Sequence, residues 1–256
     1  MENVTISLVP AVGMMIVASI AVIYWRRVSG IRYRWFWTGA ALWTVAVALK
    51  AVCALLTNAA VIGFMKENLS YPILVFGGAL YLGVQSSLFE IGLTMLVVLI
   101  WRQFGLEAGR AIGIGIGAGA FEAILLGISS LVAILISLAG LPGAEEVREG
   151  IEATAAATPL FWLIAPVERI MAVMCHASSR ALVLLGVAHR RFSMVFWGFL
   201  IFTLLDSVAG AAHVSGKIGA ISMWWIELAI LPFALVSIPV LRWCYVTWRK
   251  KDFAMR

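Results

Sequence analysis

Seven apolar blocks dominate this chain, and besides Arg242 near the end of the last, ten Asp, Glu, Lys, Arg or His side chains lie inside them. The blocks run approximately 4–25, 35–57, 73–101, 111–139, 159–188, 193–213 and 221–246. Each reaches the roughly 20 residues that carry a helix across a bilayer. Hydrocarbon offers a bare backbone no hydrogen bonds, so each block is forced into a shape that satisfies its own, and a helix does so within one segment. The embedded ionisable residues are Lys50, Glu90, Glu122, Glu168, Arg169, His176, Arg180, Asp206, His213 and Glu227. A lone charge at the centre of a membrane helix costs about 2.5–3.5 kcal/mol on insertion scales. Ten of them cannot all face lipid. They are expected to turn inward and pair, and to line a polar chamber.

Composition excludes the soluble alternatives. The chain has 256 residues, 63% hydrophobic and 12% charged, too apolar for a soluble domain of this size to conceal. The longest connector, about 140–158, is too short for a core of its own. Its acidic middle predicts a short surface helix. The expected fold class is all-α: a polytopic bundle of seven transmembrane helices, with residues 1–256 as a single integral membrane domain. The net charge of +6 does not point to nucleic acid, because the basic residues cluster at the ends of spans. Cys53, Cys175 and Cys244 form no CxxC or Cys/His cluster, which argues against a disulfide framework or a zinc finger.

The basic residues also predict an orientation. Arg26, Arg27, Arg32, Arg34, Arg102, Arg110, Arg190, Arg191, Arg242, Arg249, Lys250, Lys251 and Arg256 fall on one set of connectors and span ends. Only Lys66, Arg148 and Lys217 fall on the other. That asymmetry predicts an outside N-terminus and a cytoplasmic C-terminus, consistent with Glu2 preceding the first span and Arg26–Arg27 following it. The segment 59–72 reads as partly interfacial, with Pro72 opening the next helix. The predicted location is a membrane, read as the plasma membrane of a prokaryote.

The glycines at 113, 115, 117 and 119 predict close helix packing. They do not form a phosphate loop, since no Lys-Ser/Thr follows. Further along, Arg169, His176 and Arg180 fall within about 40° of one another on a helix and form one stripe. Glu168 lies about 80° from His176 and roughly 12 Å away along the axis. The pair cannot chelate one metal from an unbroken helix, and no HExxH motif is present. A glutamate in a polar chamber can deprotonate water. A neighbouring histidine can stabilise an oxyanion. Those are the parts that peptide hydrolysis inside a bilayer needs. Equally, Glu168, Arg169, Lys50 and Glu90 can pair only to fix the bundle, and buried Asp, Glu and His also serve proton relays.

Three segments carry a family resemblance: GIGAGAFEAILLG in the fourth block, PVERIMAVMCHASSRALVLLG in the fifth and FWGFLIFTLLDSVAG in the sixth. They resemble the motif regions of YhfC-type intramembrane peptidases, a family grouped with the CAAX-processing and PrsW-type membrane proteases. The stretch around Lys50 is similar as well. The resemblance implies a glutamate/metallo-type hydrolase acting on membrane-associated peptides or proteins, in contact with membrane lipid. It implies catalytic roles for Glu122, Glu168, His176 and Asp206, with Arg169 pairing a carboxylate. If a divalent metal such as zinc is bound, His176, Glu122 and Asp206 are its candidate ligands. The chain departs from the group's pattern at two points. Phe202 stands where the third motif has a histidine, and the first motif lacks a double glutamate. The competing expectations are a proton-coupled transporter and a non-catalytic pseudoprotease or scaffold.

Overall fold

A computed structural model describes residues 4–140, 143–217 and 221–249. Glu2, Lys250, Lys251 and Arg256, used above for topology, lie outside the described residues. Among the described residues the chain is helical: α1 (Val4–Ser29), α2 (Arg34–Asn68), α3 (Tyr71–Ile100), α4 (Ala108–Ala139), α5 (Ala144–Ala157), α6 (Phe161–Ala188), α7 (Phe192–Ser215) and α8 (Trp224–Trp248). A 3-10 turn at Arg102–Phe104 links α3 to α4. All but α5 are long and apolar enough to cross a membrane, which makes seven spans. The protein is an integral membrane helix bundle.

Local signals explain most boundaries. α1, α4 and α7 each end at a glycine in the left-handed region, Gly30, Gly140 and Gly216, where a side chain would be strained. Pro72 sits in the first turn of α3, where its missing N–H costs nothing. The acidic connector forms α5, with Glu145 and Glu146 at the positive end of its dipole.

Most of the segment 59–72 is the far end of the second helix. α2 continues unbroken through Asn68, for 35 residues. No proline interrupts it, and the helix stops only where Leu69 turns extended ahead of Pro72. At about 1.5 Å per residue it spans roughly 52 Å, well beyond the hydrocarbon core. Its buried residues all lie between Trp35 and Ala46. Beyond that point its side-chain hydrogen bonds to other helices go to α3, from Lys50 to Glu90 and between Thr57 and Tyr81.

α6 is the hub. It packs against α1, α3, α4, α7 and α8. α4 reaches it through two interleaved small-residue faces. Gly115 and Gly119 face α6, where an added Cβ would lie 2.6 Å from Ala177 Cα and 3.0 Å from Val173 Cα. Gly113 and Gly117 face the other way, onto Ile31 and onto the α2 backbone at Phe36. Gly39 of α2 answers by accepting the α4 backbone at Ile114. Without a hydrophobic drive between helices in lipid, such contacts come from van der Waals packing of closely approaching backbones. This wedge sets the depth and rotation of α4, and so of Glu122.

Gly117→Val is expected to destabilise the bundle by about 1–3 kcal/mol through overpacking. Gly92→Val, where an added Cβ meets open space, should stay within about 0.5 kcal/mol of wild type. Thermal denaturation in detergent checks both.

Candidate functional site

α6 delivers four of the embedded ionisable residues to one side of the hub: Glu168, Arg169, His176 and Arg180. Near its start, Gly13 of α1 leaves room for the ring of Pro166. From there the stripe of Arg169, His176 and Arg180 faces inward, and all three are buried.

The charges form one continuous run of contacts across four helices. Lys50 of α2 donates to Glu90 Oε1 of α3 at 2.6 Å and to Ser86 Oγ at 2.9 Å. Arg180 donates from Nη2 to the other Glu90 oxygen at 3.0 Å. From Nη1 it reaches His176 Nδ1 at 2.6 Å. His176 Nε2 lies 2.8 Å from Glu122 Oε2 of α4. Arg169 Nη1 lies 3.2 Å from Glu122 Oε1. Finally, Arg169 grips Glu168 through both Nε, at 2.6 Å, and Nη2. Three carboxylates meet three permanent cations, with one imidazole between them. The run is formally neutral, which is how charges tolerate a low-dielectric interior.

Chemistry fixes the imidazole. Arginine has donors and no acceptor, so Nδ1 must accept and the ring proton stays on Nε2. That N–H points to the Glu122 side. Glu122 is thus held on two sides, by the imidazole at Oε2 and by the Arg169 guanidinium at Oε1. Glu122 and Glu168 keep 22% and 27% of their side-chain surface accessible, against 5% for His176, although Glu122 Oε2 itself is buried.

Phe202 of α7 is fully buried, with its ring edge-on to His176 at 5.1 Å between centroids. The Arg180 guanidinium lies over the same ring. The place where the resemblance implies a histidine thus holds an apolar face pressed on the imidazole. Asp206, one turn further along α7, is half-buried. It lies beside Ser86, in the field of Lys50 and Glu90. It joins the Glu90 flank, not the imidazole.

The pairing itself differs from expectation. Glu168 and Arg169 do not reach across to Lys50 and Glu90. They pair with each other, and Arg180 takes the second Glu90 oxygen. Glu227 of α8 is buried near Glu168 and Arg169 with Oε2 unpartnered. His213 is exposed near the end of α7.

A family model, that of the YhfC intramembrane metalloprotease, matches residues 13–230. The chain belongs to the YhfC family. That match covers every residue of the charged run. No curated protein and no solved structure matches the chain. The description of the YhfC family implies a metal, so the donors were weighed for one. Glu122 and His176 present two ligand atoms to the same point, while catalytic zinc uses three protein ligands. The adjoining side is Phe202, and both Glu122 and Glu168 already face Arg169. Among the described residues no three His, Cys, Asp or Glu side chains converge on one point. This donor set does not fit a metal ion.

Helical periodicity puts Arg180 on the stripe with Arg169 and His176 but names no partner for it. The structure joins it, with Lys50 and Glu90, to the YhfC motif residues. The i, i+4 spacing of His176 and Arg180 was the available signal.

Arg180→Met removes the cation that both Glu90 and His176 depend on. A fall in stability of about 3–5 kcal/mol is expected, read as a lower thermal midpoint in detergent. Arg148→Met, on the exposed face of α5, should leave that midpoint unchanged.

Proposed function

We propose that this protein is an intramembrane peptidase in which Glu122 activates water and His176 stabilises the oxyanion. One observation carries the reading: Glu122 Oε2 and the His176 Nε2–H, brought together from two helices, lie 2.8 Å apart. Glu168 is the weaker base candidate, because Arg169 occupies both of its oxygens. A water bound at Glu122 gives its proton to the carboxylate as its oxygen attacks the peptide carbonyl carbon. The developing oxyanion takes a hydrogen bond from the His176 Nε2–H. As the C–N bond breaks, Glu122 returns the proton to the leaving amine. Arg169 keeps Glu122 ionised and in place between turnovers. Arg180, held by Glu90 and through it by Lys50, keeps the His176 proton on Nε2. Asp206 supports the Lys50–Glu90 flank. Every step uses these side chains alone.

The substrate class is a membrane-associated peptide or protein, since the centre lies within the span of the helices. The host membrane is the plasma membrane of a prokaryotic cell, with the N-terminus outside and the C-terminus cytoplasmic. In a Cys53→Ser background, Glu149→Cys on α5 should then react with a membrane-impermeant thiol reagent in intact cells. Protection until lysis would reverse the orientation.

A proton-coupled transporter is less favoured by the same geometry. Guanidinium groups interrupt the run between Glu90 and His176 and again between Glu122 and Glu168, and arginine does not give up its proton. The Phe202 ring against His176 favours a second reading, a pseudoprotease that keeps the fold and serves as a scaffold.

Purified protein in liposomes, offered a library of membrane-anchored peptides, separates these readings. Cleavage is expected, lowered about 10²–10⁴-fold by Glu122→Gln and about 10²–10³-fold by His176→Phe. Glu168→Gln should cost less than Glu122→Gln. Equal rates for wild type and Glu122→Gln would sink the assignment. A well-folded wild type that cleaves nothing in the library would favour the scaffold.

A further inference from the structure

The end of the bundle that carries the α1–α2 and α3–α4 junctions holds a cavity of about 810 Å³. Arg32, Arg34, Arg110 and Arg249 line it, against a single carboxylate, Glu107. Arg110 takes that carboxylate at 3.0 Å. Arg34 lies over the Trp35 ring, 4.8 Å from its centroid. Among the described residues, Arg32, Arg34 and Arg249 have no acidic partner. The charged run on α6 pairs each of its cations with a carboxylate. Here three guanidiniums share one concavity, and among the described residues no carboxylate pairs with them.

The backbone adds to the same sign. α4 begins at this wall, and the N–H groups of its first turn have no upstream carbonyl. Its positive dipole end therefore borders the cavity. The opposing carbonyls at the end of α1 are already engaged. Ser29 Oγ donates to Trp25 O at 2.6 Å, Gly30 N to Arg26 O at 2.9 Å, and Tyr245 Oη to Val28 O at 3.2 Å.

We propose that this cavity binds the phosphate-bearing headgroup of an anionic phospholipid, with Arg32, Arg34 and Arg249 as its donors. Position selects a lipid over a free phosphate. The cavity opens where membrane-crossing helices end, and its rim carries exposed Val28 and half-buried Ile31, which acyl chains would cover. It lies about 18 Å along α4 from Glu122. It therefore stands apart from the proposed hydrolytic centre and does not depend on it.

Native mass spectrometry tests this on the full chain in detergent, with equimolar phosphatidylglycerol and phosphatidylcholine. Each unpaired arginine near a headgroup contributes about fivefold, so wild type should prefer phosphatidylglycerol on the order of 100-fold. Arg32→Gln with Arg249→Gln should reduce that preference to about fivefold. Arg102→Gln with Arg242→Gln removes two exposed charges outside the cavity and should change it less than about twofold. Equal retention of the two lipids by wild type would overturn the proposal. Equal losses in the two double variants would do so too, because they would indicate general surface attraction. Displacement of the lipid by millimolar inorganic phosphate would overturn the lipid assignment in favour of a free-phosphate site. Persistence of the lipid under phosphate supports the headgroup site.

Discussion

A guanidinium sealed inside a membrane bundle has one tolerable state, and that is paired. Arg180 is sealed, with 1% of its side chain accessible. It sits on the helix that touches most of the others. Glu90 of α3 neutralises it, and Lys50 of α2 holds the other oxygen of Glu90. Once α3 and α6 are tied in this way, the second terminal nitrogen of Arg180 falls on His176. The tautomer of that histidine follows from a pairing made for electrostatic reasons.

The glycine wedge acts on the same residues from the other side. Gly115 and Gly119 bring α4 close enough to α6 for Glu122 to meet both His176 and Arg169. A bulkier face would hold the helices apart and leave Glu122 without its counter-charge. Chemistry and packing therefore share one constraint: α4 must lie close to α6, at one depth. The result is a charge-compensated carboxylate set against the imidazole N–H. Its neighbours are a guanidinium and the Phe202 ring packed on His176, a poor setting for a metal ion.

Much of this was legible from residues alone. The seven spans follow from block length, since hydrocarbon thickness sets a minimum that the chain meets seven times. Arg169, His176 and Arg180 were assigned to one face because helical periodicity requires it. The packing role of the glycines at 113–119 was legible for the same reason. The far half of α2 was not. Asn58, Lys66 and Glu67 make residues 58–68 look interfacial in composition, but composition does not end a helix when no breaking residue is present. Nor were the partners of the charges legible. Glu168 and Arg169 differ by 100° on the helix and by one position in the chain, and their long side chains still meet. Asp206 reads as the neighbour of His176 by motif order, yet the rotation of α7 presents Phe202 to the imidazole and leaves Asp206 with Ser86.

The sequence by itself determined that this chain crosses a membrane and that particular ionisable residues are drawn inward. Both follow from the cost of exposing backbone or charge to hydrocarbon, which scales with composition along the chain. Only the tertiary structure decided which charges pair, which nitrogen of His176 keeps its proton, and that Glu122 meets both His176 and Arg169. Those outcomes turn on separations near 3 Å. Such separations are set by the depth and rotation of each helix against its neighbours, and a hydropathy pattern specifies neither.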